Sequence, residues 1–463
     1  SWIDSSYTIE SIRDIENSDK FLVKCIKERG GKIYTFYKII STASQTESVK
    51  DIIVIPGSDF HYLGCARDSL YFYTNYKAVK GQVVKTAIND VNKFKTIIPQ
   101  YQETLDDVKF IDNRFFCIYK NFGTAFGIIF DSKGKVVREI DFPQGAAVRG
   151  FDFVHEGKVY FYMSSFTFPS VFYSINLNTY EMKPEGKTEI NFYSHEYTVK
   201  KVTYRSFDST EVPMFIAHKK DLKINGKAPL LLYGYGGFNV SMDPFFDPGF
   251  IFFMEMGGIV ALPCIRGGGE LGTTWHSDGS RLNKKASFYD FIYGAKYFID
   301  KGYTKSDKIA INGGSNGGLL VAACLNLAPE LFKVGIIENG ILDMIRYERF
   351  TFGEWFTKEY GTIKDSTDFK NLISYSPVQN INKGSYFPAV LVVTGENDTR
   401  VPPFHCYKYM ASLQKKYSAS KNPLLVYTMY NAGHGDPAGY WDSYTKASYF
   451  YGFLMHNLGI NYE

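Results

Sequence analysis

The sequence predicts two folds in tandem. An all-β domain of repeated aromatic hairpins occupies 1–193, and an α/β domain around a buried, mostly parallel sheet occupies 194–463. Three observations predict this. Aromatic, strand-like runs recur at near-constant spacing in the first part. Fully apolar runs separated by helical stretches replace them in the second. At one junction of the second part, residues 311–318 read "INGGSNGG", a serine between two pairs of glycines.

The repeats come first along the chain. "KFLVKCI" begins at Lys20, "SLYFYTNY" at Ser69, "RFFCIYKNF" at Arg114 and "KVYFYMSSF" at Lys158. Each is followed by a second strand-like run: "KIYTFYKI", "QVVKTAI", "GIIFDSKGKVVREI" and "VFYSINL". Alternation with Lys-Gly, Asn-Asp and Asn-Thr turn signals fits antiparallel hairpins. A period of about 45 residues with up to four strands per unit is the signature of propeller blades, so about four blades are predicted. An irregular β-sandwich is the alternative on the same pattern.

Near Glu196–Tyr204 the character changes. "APLLLYGYGG", "GGIVALPCIRGGG", "KIAINGGS", "VGIIENG", "AVLVVTGEND" and "LLVYTMYNAGH" are apolar strands ending in loop residues. "SFYDFIYGAKYFIDKG" and "GGLLVAACLNLAPELF" fit helices between them. Apolar strands alternating with helices indicate a sheet covered on both faces.

Composition narrows the function. Hydrophobic residues are 45% of the 463, enough for sizeable cores. The net charge of +4 is spread without long basic runs and gives no electrostatic footprint for nucleic acid. The six cysteines are far apart and form no CxxC, which fits reduced thiols in the cytoplasm, with two structural disulfides as the alternative. No apolar stretch is long enough to span a membrane. "IRGGGE" at 265–270 lacks the Lys-Ser/Thr of a phosphate loop, and no metal or cofactor is expected. The chain opens on Ser-Trp-Ile rather than Met, a start that reads as internal.

Gly313-Gly314-Ser315-Asn316-Gly317 fits G-x-S-x-G, the elbow that lifts a nucleophilic serine above a sheet edge. The pentapeptide alone is a weak signal, because an ordinary glycine turn would also fit. Its place between a strand and a helix makes it strong. A serine at its normal pKa needs a base, and this fold supplies acid and base later in the chain, in the order Ser, Asp, His. Asp398 follows one strand and His434 follows the last one. Of eight histidines only His434 has both the order and the loop. Glu396 shares the loop with Asp398. An oxyanion hole needs two donors. The backbone N–H of Asn316 is one. The loop "YGYGGF" offers the second, where Tyr235 either donates its hydroxyl or packs beneath.

These residues resemble the prolyl oligopeptidases, serine peptidases in which an α/β-hydrolase domain carries a seven-bladed propeller. The matching strings are "YGYGGF", "IRGGGE-G-TWH", "INGGSNGGLLVA", "NDTRVPP" and "AGHG", and they span the whole second domain. The resemblance implies an α/β hydrolase catalytic domain with Ser315 as nucleophile, Asp398 (favoured over Glu396 by "TRVPP") as acid and His434 as base. It implies Tyr235 and the Asn316 N–H as oxyanion hole and Arg400 as a ligand for a substrate carbonyl. Phe238, Val401 and Tyr360 are implied pocket wall, and the aromatic run that includes Phe352, Trp355 and Phe356 is expected to touch substrate.

Two departures matter. The family stacks the substrate proline on the tryptophan of G-x-x-W-x-x-x-Y-G, whereas residues 353–361 read "GEWFTKEYG". Phe356 holds the tryptophan position and Trp355 comes one residue early. Either ring offers the apolar face a pyrrolidine needs. Glu354 and Glu359 lie near enough in sequence to receive a cationic side chain instead. Further, only about four repeats are present, so three blades and an N-terminal segment are expected to lie outside this chain. A partial propeller would expose a strand edge and an apolar face.

The expected function is a monomeric, cytoplasmic oligopeptidase that cleaves short peptides after proline through an acyl-enzyme. A peptide macrocyclase or ligase on the same site is one alternative. An esterase or acylaminoacyl-type peptidase, and an inactive propeller-based binding protein, are the others.

Overall fold

A strand sends alternate side chains to opposite faces, and the blade strands use both faces. The computed structural model describes residues 8–16, 18–29, 32–41, 50–53, 58–121, 124–143, 145–186, 192–381, 384–435, 437 and 439–461. Four antiparallel meanders of four strands come first. They run Thr8–Asp14 to Lys50–Ile53, Phe60–Ala66 to Asp90–Ile98, Thr104–Ile111 to Val136–Asp141, and Ala147–His155 to Met182–Pro184. They are the four blades of a propeller arrangement.

The strand Arg114–Asn121 shows why the repeats are so aromatic. Phe115, Cys117 and Tyr119 pack toward the second blade, with its Tyr71 and Val83. Phe116 and Ile118 pack toward the fourth, with Phe151 and Phe161. A blade between two others therefore needs large side chains on both faces. The first and second blades join through Leu22, Tyr37, Ile52, Phe60 and Phe72. Among the described residues, no core of this kind joins the fourth blade to the first.

An eight-stranded sheet begins at Tyr197. Its order is Tyr197–Arg205, Glu211–Lys219, Ile259–Pro263, Leu230–Tyr233, Ile309–Gly314, Val334–Glu338, Ala389–Gly395 and Leu424–Met429. The first two strands join antiparallel and the last six are parallel. Ile309 and Ile311 face the helices Lys285–Asp300 and Asn316–Leu327. Ala310, Val334 and Ile336 face Pro248–Glu255 and Tyr440–Leu458. Helices on both faces explain why these strands are apolar throughout.

Several contacts tie the domains together, among them these. Lys120, 2% exposed on a blade strand, lies 2.7 Å from Asp243 of the second domain and 2.8 Å from Asp106 of its own. The Thr273 N–H donates to the Val79 carbonyl at 2.9 Å. The Phe166 ring meets Phe250 with centroids 6.1 Å apart.

Candidate active site

Ser315 stands between the strand Ile309–Gly314 and the helix Asn316–Leu327, with φ 58° and ψ −115°. That backbone region is costly for any residue with a side chain, and persists only where the surroundings over-determine it. Its N–H donates to the Glu338 carbonyl at 2.8 Å. The flanking glycines are needed for close approach. A Cβ at Gly313 would lie 2.6 Å from the carbonyl oxygens of Gly234 and Gly317.

Asp398 and His434 arrive from the loops after the last two strands. The Asp398 carboxylate is buried. Its Oδ1 accepts from the N–H groups of Arg400 at 2.9 Å and Val401 at 2.8 Å. Its Oδ2 lies 2.7 Å from His434 Nδ1. That pairing places the ring proton on Nδ1 and leaves Nε2 free to accept one. Glu396 is exposed on the same loop, and His434 pairs with Asp398 instead. Among the described residues no hydrogen bond joins Ser315 Oγ to His434. Such contacts tighten when substrate binds. His405, the other histidine near this loop, is buried and pushed down to about 4 by that burial. Its Nδ1 accepts from the Asp343 N–H at 3.1 Å, a structural role.

Tyr235 lies on the loop after Leu230–Tyr233. Burial pushes its phenol up to about 12, with Glu359 adding to the rise and Arg400 opposing it. It therefore stays a hydrogen-bond donor at neutral pH. The Asn316 side chain, 1% exposed, clamps this loop to the elbow. Its Nδ2 donates to the Tyr235 carbonyl at 2.6 Å, and its Oδ1 accepts from the Tyr360 hydroxyl at 2.9 Å.

Phe238 meets Phe356 and Tyr360 edge-on, each with centroids 5.6 Å apart. Phe356 is half-buried at this wall. Trp355 is 75% exposed, and among the described residues its ring pairs with Phe352 alone, at 5.2 Å. Tyr360 and Val401 are buried at this wall. Arg400 is exposed beside the Asp398 loop. The sequence left Glu354 and Glu359 open as receptors for a cationic side chain, and the pairing of Glu359 argues against that role for Glu359 alone. Glu359 is buried and already paired with Lys284 and His276. Glu354 is exposed and lies 3.6 Å from Lys364.

Sequence reasoning missed Lys284 and His276, along with the side-chain role of Asn316. "TWH" was visible as a motif, but nothing local ties residue 276 or 284 to residue 359. Only the fold brings them together.

Fold and geometry define an α/β-hydrolase domain joined to a β-propeller. Residues 244–460 match the prolyl oligopeptidase family, and residues 16–187 match the prolyl oligopeptidase N-terminal beta-propeller domain. The prolyl endopeptidase of Elizabethkingia meningoseptica is 34% identical over 461 residues, 99% of this chain and 63% of that relative. A solved prolyl endopeptidase superposes with a TM-score of 0.91 at 30% identity, covering 99% of this chain and 67% of its own. Prolyl oligopeptidase B from Galerina marginata, solved with a 35mer hydrolysis and macrocyclization substrate, superposes with a TM-score of 0.90 at 26% identity. That match covers 99% of this chain and 66% of that one. The chain belongs to the prolyl oligopeptidase family, and it spans 63% of the length of the Elizabethkingia relative.

Proposed function

We propose that the protein is a serine endopeptidase that cleaves short peptides on the carboxyl side of proline. The observation that carries this reading is the 2.7 Å Asp398–His434 pair, on loops that flank a strained Ser315. His434 Nε2 takes the Ser315 proton as Oγ bonds to the scissile carbonyl carbon. The carbonyl oxygen becomes an oxyanion held by the Tyr235 hydroxyl and the Asn316 N–H. When the C–N bond breaks, His434 returns the proton to the leaving amine. Water then attacks the acyl-enzyme by the same route in reverse order. Asp398 keeps the ring oriented and stabilises the imidazolium.

Proline preference is supported by an apolar, aromatic wall whose nearest buried carboxylate is already neutralised. Phe356 is the platform in this reading, because it packs on Phe238 while Trp355 stands in solvent. Arg400 binds a substrate carbonyl. The six cysteines are free, which supports a reducing, cytoplasmic location, and we read the protein as a monomer. A second reading lets an amine replace water and so ligate peptides. It is favoured by the likeness to the Galerina structure bound to a macrocyclization substrate.

The test is hydrolysis of a blocked Gly-Pro fluorogenic amide, with labelling by a serine-reactive phosphonate, beside the Ser315→Ala variant. Turnover and labelling are expected to vanish together, turnover by at least about a thousandfold. Hydrolysis that survives in Ser315→Ala overturns the reading.

A further inference from the structure

The backbone of the loop 234–238 is held by two side chains from distant segments, one of them braced by a third. Lys284 Nζ donates to the Gly236 carbonyl at 2.9 Å and to Glu359 Oε1 at 2.8 Å. Glu359 Oε2 accepts from the Phe238 N–H at 3.0 Å and pairs with His276 Nε2 at 2.8 Å. The Lys284 and Glu359 side chains are 1% and 2% exposed. Two charges are taken out of water at a cost that only good geometry offsets. Here the geometry is spent on the two backbone groups that follow Tyr235. Phe238 has φ 56°, a conformation that a phenylalanine keeps only where the surroundings impose it. The Glu359 bond to its N–H is such an imposition. Burial raises the Glu359 carboxyl, but Lys284 and His276 lower it further, so it stays charged and below its ordinary value. The His276 arm also reaches outward. His276 lies on the short helix Thr273–Ser277, whose first N–H is the one bonded to Val79 of the propeller.

We infer, on the serine-peptidase reading above, that Glu359, braced by Lys284 and His276, positions the oxyanion loop and so sets transition-state binding at Tyr235. Peptide binding in the ground state depends on it far less, because the Phe238 ring is held separately by Phe356 and Tyr360. Glu359 touches no reacting atom and acts through the loop.

The variants are His276→Asn, which removes one arm without stranding a buried charge, and Lys284→Met combined with Glu359→Gln, which removes both charges together. Three quantities are measured: kcat and KM on the blocked Gly-Pro amide, Ki for a peptidyl prolinal that becomes tetrahedral on Ser315, and Ki for a product peptide ending in proline. Phosphonate labelling rates are read in parallel and should fall with kcat. Expected is a kcat loss of about tenfold in His276→Asn and about a hundredfold in the double variant, the scale of one oxyanion donor. KM and the product Ki should stay within about threefold, and the aldehyde Ki should rise with the loss in kcat. Unchanged kcat and labelling, or a KM and product Ki that rise as much as kcat falls, overturns the inference. If the double variant does not fold, His276→Asn decides by itself. Ser315→Ala is run alongside. Survival of hydrolysis there sinks the underlying reading, whereas its loss beside wild-type kinetics in the network variants sinks only this inference.

Discussion

The two sides of the catalytic cleft are built differently. On the side of Ser315 the loop 234–238 is packed so closely against the elbow that it leaves no room for a methyl group at Gly237. A Cβ at Gly237 would lie 2.5 Å from Asn316 Nδ2. Asn316, Lys284 and Glu359 then clamp the loop by hydrogen bonds. On the other side, the loop of His434 is pinned at Ala432, whose carbonyl accepts from the Asn397 N–H at 2.9 Å. Gly433 packs there too, its carbonyl oxygen 2.3 Å from where a Cβ on Gly395 would lie, although among the described residues a Cβ on Gly433 itself would meet nothing within 4 Å. The imidazole is oriented by its bond to Asp398. The loop 234–238 is thus held by side chains from several segments, whereas the imidazole is held by its pair with Asp398.

Removing the Asp398 charge tests this contrast most severely. Asp398→Asn should lower kcat by about ten-thousandfold, since the ring then loses both its tautomer and its orientation. A loss of less than about a hundredfold would show that the histidine loop is held by something other than this pair. The next largest effect separates the two sides directly. Gly237→Ala should cost about a hundredfold in kcat by displacing Asn316 and the oxyanion loop, a loss of the size seen when one donor is misplaced. Gly433→Ala should stay within about threefold, having space for the new methyl. Equal losses in the two variants would erase the distinction.

Much of this was legible in the sequence, and the reason differs by region. The elbow is a local device, so "GGSNGG" between a strand and a helix reveals Ser315. The order of the loops then points to Asp398 and His434. The blades were legible because each aromatic run must serve two faces, as Phe115 and Phe116 do. The frame beneath the oxyanion loop was not legible. It joins residues 236, 276, 284, 316 and 359, and no spacing rule connects them. The aromatic platform was half legible. The ungapped count puts Phe356 in place, but only the structure shows Trp355 turned outward. Phe356→Ala should accordingly raise KM for a proline substrate about tenfold or more, the scale of losing one aromatic contact. Trp355→Ala should change it by less than about twofold. The reverse pattern would move the platform to Trp355.

The smallest effect expected lies where the packed side of the cleft runs on into the propeller contact. Glu270 is fully buried, and its Oε1 accepts from the Met242 N–H at 2.8 Å. Among the described residues its Oε2 has no hydrogen-bond partner, and the Lys120–Asp243 pair lies nearby. Burial pushes this carboxyl up from 4.5 to about 8, against the bonds from backbone N–H groups. The folded protein therefore holds a proton that the unfolded chain releases. The resulting stability is fully present below pH 4.5 and is lost as the pH rises to about 8. Glu270→Gln keeps the shape and removes the titration. Its thermal midpoint should stay nearer constant between pH 5 and 8, roughly the window of that shift, whereas the wild-type midpoint falls by about a few degrees more. Parallel curves for the two proteins would mean that Glu270 is ionised in the fold and that Lys120, rather than burial, governs its charge.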